Sequence, residues 1–297
     1  MRMAASRVSA LLLGAGSRGT LRSLHLALPA PPRCGAAAPA ATLARRGMAA
    51  AVAVGASEPL AERKAAIRKA MKATLQAMQR ETLASSSAVA CRQLLALDCV
   101  RGASGVCAYL SMPLELQTGE LLEGLFGERY RPGPCASPGD AGVEARAVFV
   151  PKVIGGGRHD MVMLPITSGL EEVASFPRNK WGIPEPELPT GMSAAELWES
   201  AVLLLDVVVV PGVAFDRECR RLGRGRGYYD TFLEALSTGR AARGLPPPAA
   251  VGICLDEQLI DEVPVDVHDR VLDAVVTPSG VFGLPSGLRQ QEGGGEG

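Results

Sequence analysis

Residues 203–230 read L-L-L-D-V-V-V-V-P-G-V-A-F-D-R-E-C-R-R-L-G-R-G-R-G-Y-Y-D. The apolar run 203–211, interrupted only by Asp206, predicts a strand covered on both faces, because its valines are consecutive where a half-exposed strand would alternate. In the stretch 220–230, which begins ten residues past Val210, Gly223, Gly225 and Gly227 alternate with Arg224 and Arg226. Glycine lets the backbone turn where a side chain would clash, so guanidinium and bared N–H groups line one concave surface. Such a surface suits phosphate, whose oxygens take paired, charge-assisted hydrogen bonds from the planar arginine fork. Tyr228, Tyr229 and Asp230 follow at once, adding an aromatic wall and a hard oxygen ligand.

Further apolar runs at 105–110, 147–151, 161–166, 249–255 and 274–277 read as strands, with helical candidates at 118–126, 193–200 and 229–236 between them. Upstream, 58–96 is helical by pattern, with Ile67, Met71, Leu75 and Met78 at helical spacing. This order predicts an α/β chain: a three-layer α/β/α domain with a mainly parallel (mixed) central sheet. Ligands of such sheets bind outside the carboxyl ends of the strands, where the glycine-arginine segment lies. Lys64, Arg68 and Lys72 form a second stripe about 60° round the helix from the apolar one, at the edge of the buried face. By themselves they read as cations snorkelling at a core boundary. Residues 131–142 and 239–248 read as loops.

Charge divides the chain. Residues 1–57 hold seven arginines, no lysine and no acidic residue, while the remainder carries 24 basic against 31 acidic residues, a net of about −7. An acidic body disfavours generic nucleic-acid binding, and the two Gly-Arg units are too few for an arginine-glycine tract. The first 57 residues, rich in Ala, Arg, Ser and Leu, read as an organellar transit peptide, mitochondrial before plastid. A secretory signal and an untargeted extension are the competing readings, and Met48 offers a start for a shorter, cytosolic product. The domain organisation expected is therefore 1–57 transit peptide, 58–282 α/β domain and 283–297 disordered tail. Seven cysteines, odd in number and without a C-x-x-C pair, argue against a disulfide framework or a zinc site. No apolar run reaches the ~18 residues of a membrane span.

Five pieces in order make the chain similar to the 5-formyltetrahydrofolate cyclo-ligase (methenyltetrahydrofolate synthetase) family. They are K-x-x-x-R at Lys64 and Arg68, Y-L-S-M-P-L-E at 109–115, N-K-W-G-I-P-E-P at 179–186, P-G-V-A-F-D at 211–216 with R-L-G-R-G-R-G-Y-Y-D at 221–230, and V-P-V-D-V-H-D at 263–269. The resemblance spans about residues 62–280. It implies an ATP- and magnesium-dependent conversion of 5-formyltetrahydrofolate to 5,10-methenyltetrahydrofolate, ADP and phosphate, by a monomer. A non-catalytic relative that binds folate or nucleotide is the alternative, since a fold does not fix an activity.

The same resemblance implies the site. ATP falls to Lys64, Arg68 and the run Arg221, Leu222, Gly223, Arg224, Gly225, Arg226, Gly227, Tyr228 and Tyr229, with Arg221, Arg224 and Arg226 steadying the transferring phosphoryl group. Folate falls to Leu110, Met112, Glu115 and Trp181, together with Arg224, Gly225, Arg226, Gly227 and Tyr228. Magnesium falls to Asp230 and Asp269, although Asp230 also reads as the N-terminal cap of the following helix. The family pattern often has Lys where Arg226 stands, so here a fork replaces a point donor.

Overall fold

Val207, Val208, Val209 and Val210 are all fully or almost fully buried, which requires protein on both faces of their strand. The computed structural model describes residues 58–127, 146–179, 182, 184–189 and 191–283. The expected transit peptide, the 131–142 loop, Trp181 and residues 284–297 lie outside them.

In chain order the elements are α1 (Leu60–Gln76), α2 (Arg80–Ala96), α3 (Asp98–Arg101), β1 (Gly105–Cys107), α4 (Gly119–Leu125), β2 (Ala147–Val153), β3 (Met161–Pro165) and α5 (Leu170–Ser175). There follow α6 (Ala194–Leu204), β4 (Val207–Val210), β5 (Ala214–Phe215), β6 (Arg221–Leu222), α7 (Tyr228–Ala241), β7 (Ala249–Ile253), a short 3-10 turn, β8 (Ala274–Thr277) and β9 (Gly280–Gly283). Seven strands form one sheet in the order β3-β2-β1-β4-β7-β8-β9. The five inner strands are parallel and the two edge strands pair antiparallel.

Alternation across the pleat explains the double burial. Val207, Val209, Val251 and Val276 face one way and pack against α2 and α4 through Ala90, Leu94, Leu121 and Leu125. Val208, Val210, Ala250 and Val275 face the other and meet α6 and α7 through Ala201, Val202, Phe232, Leu233 and Leu236. The three-layer α/β/α reading is therefore right. No described helix is long and apolar enough to cross a membrane.

Of the boundaries that differ from expectation, three have a plain physical cause. The 58–96 helix is two helices, because Gln79 is extended (ψ 142°). Leu203 and Leu204 close α6 rather than open β4, since a continuous apolar run cannot tell a buried helix end from a strand. Helix α7 runs on to Ala241, into the stretch expected as loop, because the buried Arg240 anchors its last turn. That guanidinium donates to the carbonyls of Val202, Leu205 and Pro246 and to the Asp206 carboxylate. It thereby satisfies carbonyls that the end of α6 leaves open, and fixes α7 against the entry to β4.

The strand order also locates a crevice. From β1 the chain first builds outward to β2, then returns to the other side of β1 with β4. The segments leaving the carboxyl ends of β1 and β4 diverge at this reversal, which is where open α/β sheets receive ligands. Those segments carry Glu115 and the glycine-arginine run.

Candidate active site

Beyond β4 the chain turns at Pro211 and Gly212 into a hairpin, with Ala214 opposite Leu222 and Phe215 opposite Arg221. Its base is apolar: Ala214 and Leu222 pack with Ile67 and Met71 of α1 and with Ile260 and Val263. This contact brings α1 to the site, and it directs the Leu222 side chain into the core. Lys64 and Arg68 lie on the same side of α1, within one turn of Ile67; Arg68 reaches the segment after β6, and Lys64 reaches Asp269.

Asp216 secures the hairpin tip. Fully buried, it accepts hydrogen bonds from the amides of Glu218 (3.1 Å), Arg220 (2.9 Å) and Val263 (2.8 Å) and from Arg220 Nε (2.6 Å). The amide of Val263 ties to this carboxylate the segment that leads to Asp269. Asp216 stands in the P-G-V-A-F-D motif, but its role is not visible there, since an aspartate whose main partners are backbone amides carries no sequence pattern of its own.

Arg221 is nearly sealed, with 5% of its side chain exposed. It donates to the Pro211 carbonyl at 3.2 Å and to Asp230 Oδ2 at 2.8 Å, and its guanidinium carbon lies 5.9 Å from the Tyr229 ring centroid. Its Nε is buried with no acceptor among the described residues. Burial, and after it the nearby Cys107 and Glu115, raise the Tyr229 phenol pKa well above its ordinary value, so the ring stays neutral at physiological pH.

The segment that follows needs its glycines. Gly225 has φ 97° and Gly227 φ 72°, a region that side-chain-bearing residues rarely adopt. Arg68 Nε donates to the Gly223 carbonyl at 2.9 Å, fastening the turn to α1. Burial lowers the Arg68 pKa, and the charge of Asp269 opposes that shift. Gly227, not Asp230, is the N-cap of α7, and no side chain caps it. Asp230 sits in the first turn, with Oδ1 accepting from the Arg270 amide at 3.2 Å. The cap reading of Asp230 is thus corrected: the chain enters the helix at Gly227, through a left-handed residue. An uncapped helix start beside glycines presents free N–H groups and the positive end of the helix dipole to an anion.

Three cation–carboxylate pairs cross the site. Lys64 Nζ meets Asp269 Oδ2 at 2.5 Å, Arg221 meets Asp230, and Arg224 Nε and Nη2 both meet Glu115 Oε1, at 3.1 and 2.7 Å. Burial by itself would raise the Asp269 carboxyl, but the Lys64 hydrogen bond, the Asp266 amide and the charges of Lys64 and Arg221 hold it below its ordinary value. Glu115 Oε2 accepts from the Met112 amide at 2.9 Å, and the Tyr228 hydroxyl donates to the Gly155 carbonyl at 3.3 Å. Leu110 is half-buried against the core. Arg226 is exposed and has no partner among the described residues, and Lys72 is likewise exposed. The structure therefore gathers Lys64, Arg68, Glu115, Arg221, Arg224, Asp230 and Asp269 and leaves Arg226 at the rim.

The donor set suits magnesium. Asp230 and Asp269 offer hard oxygens, the amide next to Asp269 touches Asp230, and Asp269 Oδ1 accepts no hydrogen bond among the described residues. No group of three or more potential protein ligands occurs among the described residues. Magnesium commonly takes one or two carboxylates and completes its shell with phosphate and water.

An open α/β sheet with paired charges and an uncapped helix at its switch point is an arrangement suited to an anionic ligand. A sequence profile of the 5-formyltetrahydrofolate cyclo-ligase family matches residues 60–132 and 139–278. The chain belongs to that family. It is 32% identical over 220 residues to a probable 5-formyltetrahydrofolate cyclo-ligase of Schizosaccharomyces pombe, covering 73% of this chain and 95% of the relative. A shorter stretch of 79 residues is 44% identical to the mitochondrial 5-formyltetrahydrofolate cyclo-ligase of Arabidopsis thaliana, covering 26% of this chain and 28% of that one. Among solved structures, 5,10-methenyltetrahydrofolate synthetase of Aquifex aeolicus shares the fold with a TM-score of 0.53 at 23% identity, covering 74% of this chain and 92% of its own.

Replacing Asp216 with Ala leaves the Arg220 guanidinium and three amides short of their acceptor. We expect a loss of about 3 kcal/mol in chemical denaturation, the scale for breaking a buried charged network. A change below about 0.5 kcal/mol, the scale of an ordinary surface substitution, contradicts the role.

Proposed function

We propose that the protein converts 5-formyltetrahydrofolate to 5,10-methenyltetrahydrofolate at the expense of ATP, with magnesium, releasing ADP and phosphate. The observation that carries this reading is the convergence of Lys64, Glu115, the Arg221–Asp230 run and Asp269 on the crevice between β1 and β4. Those residues come from four separate parts of the chain.

The chemistry follows from the substrate. Amide resonance makes the formyl carbon unreactive and its oxygen a poor leaving group. Attack of that oxygen on the γ-phosphorus expels ADP and converts the oxygen into a phosphate ester. Nitrogen N10 then bonds to the formyl carbon and loses its proton, and the C–O bond breaks with both electrons leaving on phosphate. No covalent bond to a side chain is needed, so the protein contributes positioning and charge stabilisation.

Arg224 and Arg221 face the charge that accumulates on the moving phosphoryl group, with Lys64 and Arg68 on the remaining phosphates. The N–H groups at the start of α7 and the glycine turn allow the backbone to approach those oxygens closely. Arg226 at the rim meets phosphate on approach. Asp230 and Asp269 would hold magnesium, which supplies charge neutralisation across phosphate oxygens when bound. Glu115 accepts the two N–H donors of the aminopyrimidine edge, with Leu110 and Met112 beside the ring and Tyr228 and Trp181 as flat walls. The catalytic unit acts as a monomer.

Residues 1–57 are proposed as a mitochondrial transit segment, on their acid-free, arginine-rich composition and on the name of the Arabidopsis relative. A fluorescent reporter carrying residues 1–57 is expected in mitochondria; a cytosolic or plastid signal contradicts the address.

The activity is read directly as ATP-dependent appearance of the methenyl chromophore from 5-formyltetrahydrofolate. Arg224→Ala should lower turnover by about 100-fold or more, as for loss of one preorganised donor to transition-state charge. Wild-type protein that binds both substrates without turnover favours the non-catalytic reading. In the same assay Asp230→Asn should shift the magnesium requirement upward; a wild-type titration curve contradicts ligation by Asp230.

A further inference from the structure

The Glu115–Arg224 pair joins the two segments that flank the crevice, across 109 residues of sequence. The carboxylate is largely buried and the arginine more than half exposed, with 12% and 55% of the side chains accessible. The pair is therefore anchored on the β1 side and free to swing on the glycine side, where Gly223 and Gly225 flank Arg224.

Counting acceptor sites shows what a ligand must do here. Each carboxylate oxygen offers two lone-pair positions. On Glu115, Oε1 accepts from both Arg224 Nε and Nη2, and Oε2 accepts from the Met112 amide. One position remains, on Oε2. An aminopyrimidine edge presents two adjacent N–H donors that engage both oxygens in parallel, as a guanidinium does. It cannot bind in that manner while Arg224 holds Oε1.

We propose that Glu115 and Arg224 form a latch that couples the two substrate sites. Resting on the cyclo-ligase reading above, folate displaces Arg224 from Glu115 and releases a cation to the nucleotide phosphates. Arg224 leaves one carboxylate for another anion, so no bare charge is created. The consequence is that ATP meets its full set of cations only when the formyl acceptor is in place. By linkage, nucleotide tightens folate by the same factor.

The test is the dissociation constant of a non-hydrolysable ATP analogue with magnesium, measured calorimetrically on the full chain with and without saturating 5-formyltetrahydrofolate. For wild type, folate should tighten the analogue about fivefold or more. Glu115→Gln keeps the shape and removes the charge, so without folate it should bind the analogue more tightly than wild type does, and folate should add little. Arg224→Ala should bind weakly in both conditions, also without coupling. The two halves of one pair thus move nucleotide affinity in opposite directions, whereas a merely structural contact would move both the same way.

Constants independent of folate in wild type, or Glu115→Gln weakening the analogue alongside Arg224→Ala, overturn the latch. If those results accompany methenyl formation, the latch alone fails. If neither folate nor the analogue binds, the cyclo-ligase reading fails and the latch goes with it.

Discussion

The ion pair between Arg221 and Asp230, 2.8 Å long and almost closed to water on the arginine side, holds the glycine-arginine segment as a turn between β6 and α7. Without it the segment would be tethered through Arg68, which holds the Gly223 carbonyl, and through its own Arg224 and the adjoining Tyr228, whose bonds to Glu115 and Gly155 lie at the exposed surface. A buried guanidinium is tolerable only with its partners in place, and Arg221 has a carboxylate, a carbonyl and an aromatic face around it. The same contact fixes the direction of the first turn of α7. Consequently Asp230 lies beside the amide of Arg270, the residue that follows Asp269.

Charge pairing also reconciles the proposed anion site with an acidic chain. Each cation assigned to phosphate, Arg68 and Arg226 apart, rests against a carboxylate: Lys64 on Asp269, Arg221 on Asp230 and Arg224 on Glu115. These pairs keep the ligand-free site close to neutral, so it neither repels itself nor collects polyanions at random. They differ in burial, and burial orders their ease of exchange. The Arg221 pair is the most enclosed and serves as scaffold, while the Arg224 pair is the most solvated and the readiest to change partners.

Much of the fold was legible because period and continuity are local signals. The unbroken Val207–Val210 run announced a two-faced strand, and the Ile67 and Met71 spacing announced which side of α1 is buried. The same signals misplaced Leu203 and Leu204, because apolar continuity does not distinguish a helix end from a strand. Two-residue strands such as β5 and β6 are too short to show any period, so the hairpin that carries Arg221 was invisible. The site residues were legible as chemistry, not as geometry. Lys64 and Arg68 read as ordinary snorkelling cations until the motif resemblance reassigned them. Partners separated by 205 residues, as Lys64 and Asp269 are, leave no trace in spacing. Asp216, which holds the hairpin tip through three amides and one guanidinium, had nothing local to mark it.

The most direct measurement of the central claim is a crystal structure of the protein with a non-hydrolysable ATP analogue and 5-formyltetrahydrofolate. The account predicts the triphosphate in the crevice between β1 and β4, with its terminal oxygens within hydrogen-bond reach of Arg224 and of the amides at the start of α7. The formyl oxygen should lie in line with the γ-phosphorus, and the aminopyrimidine edge on Glu115. A triphosphate bound at any other edge of the sheet, with the 223–227 turn facing bulk water, contradicts it.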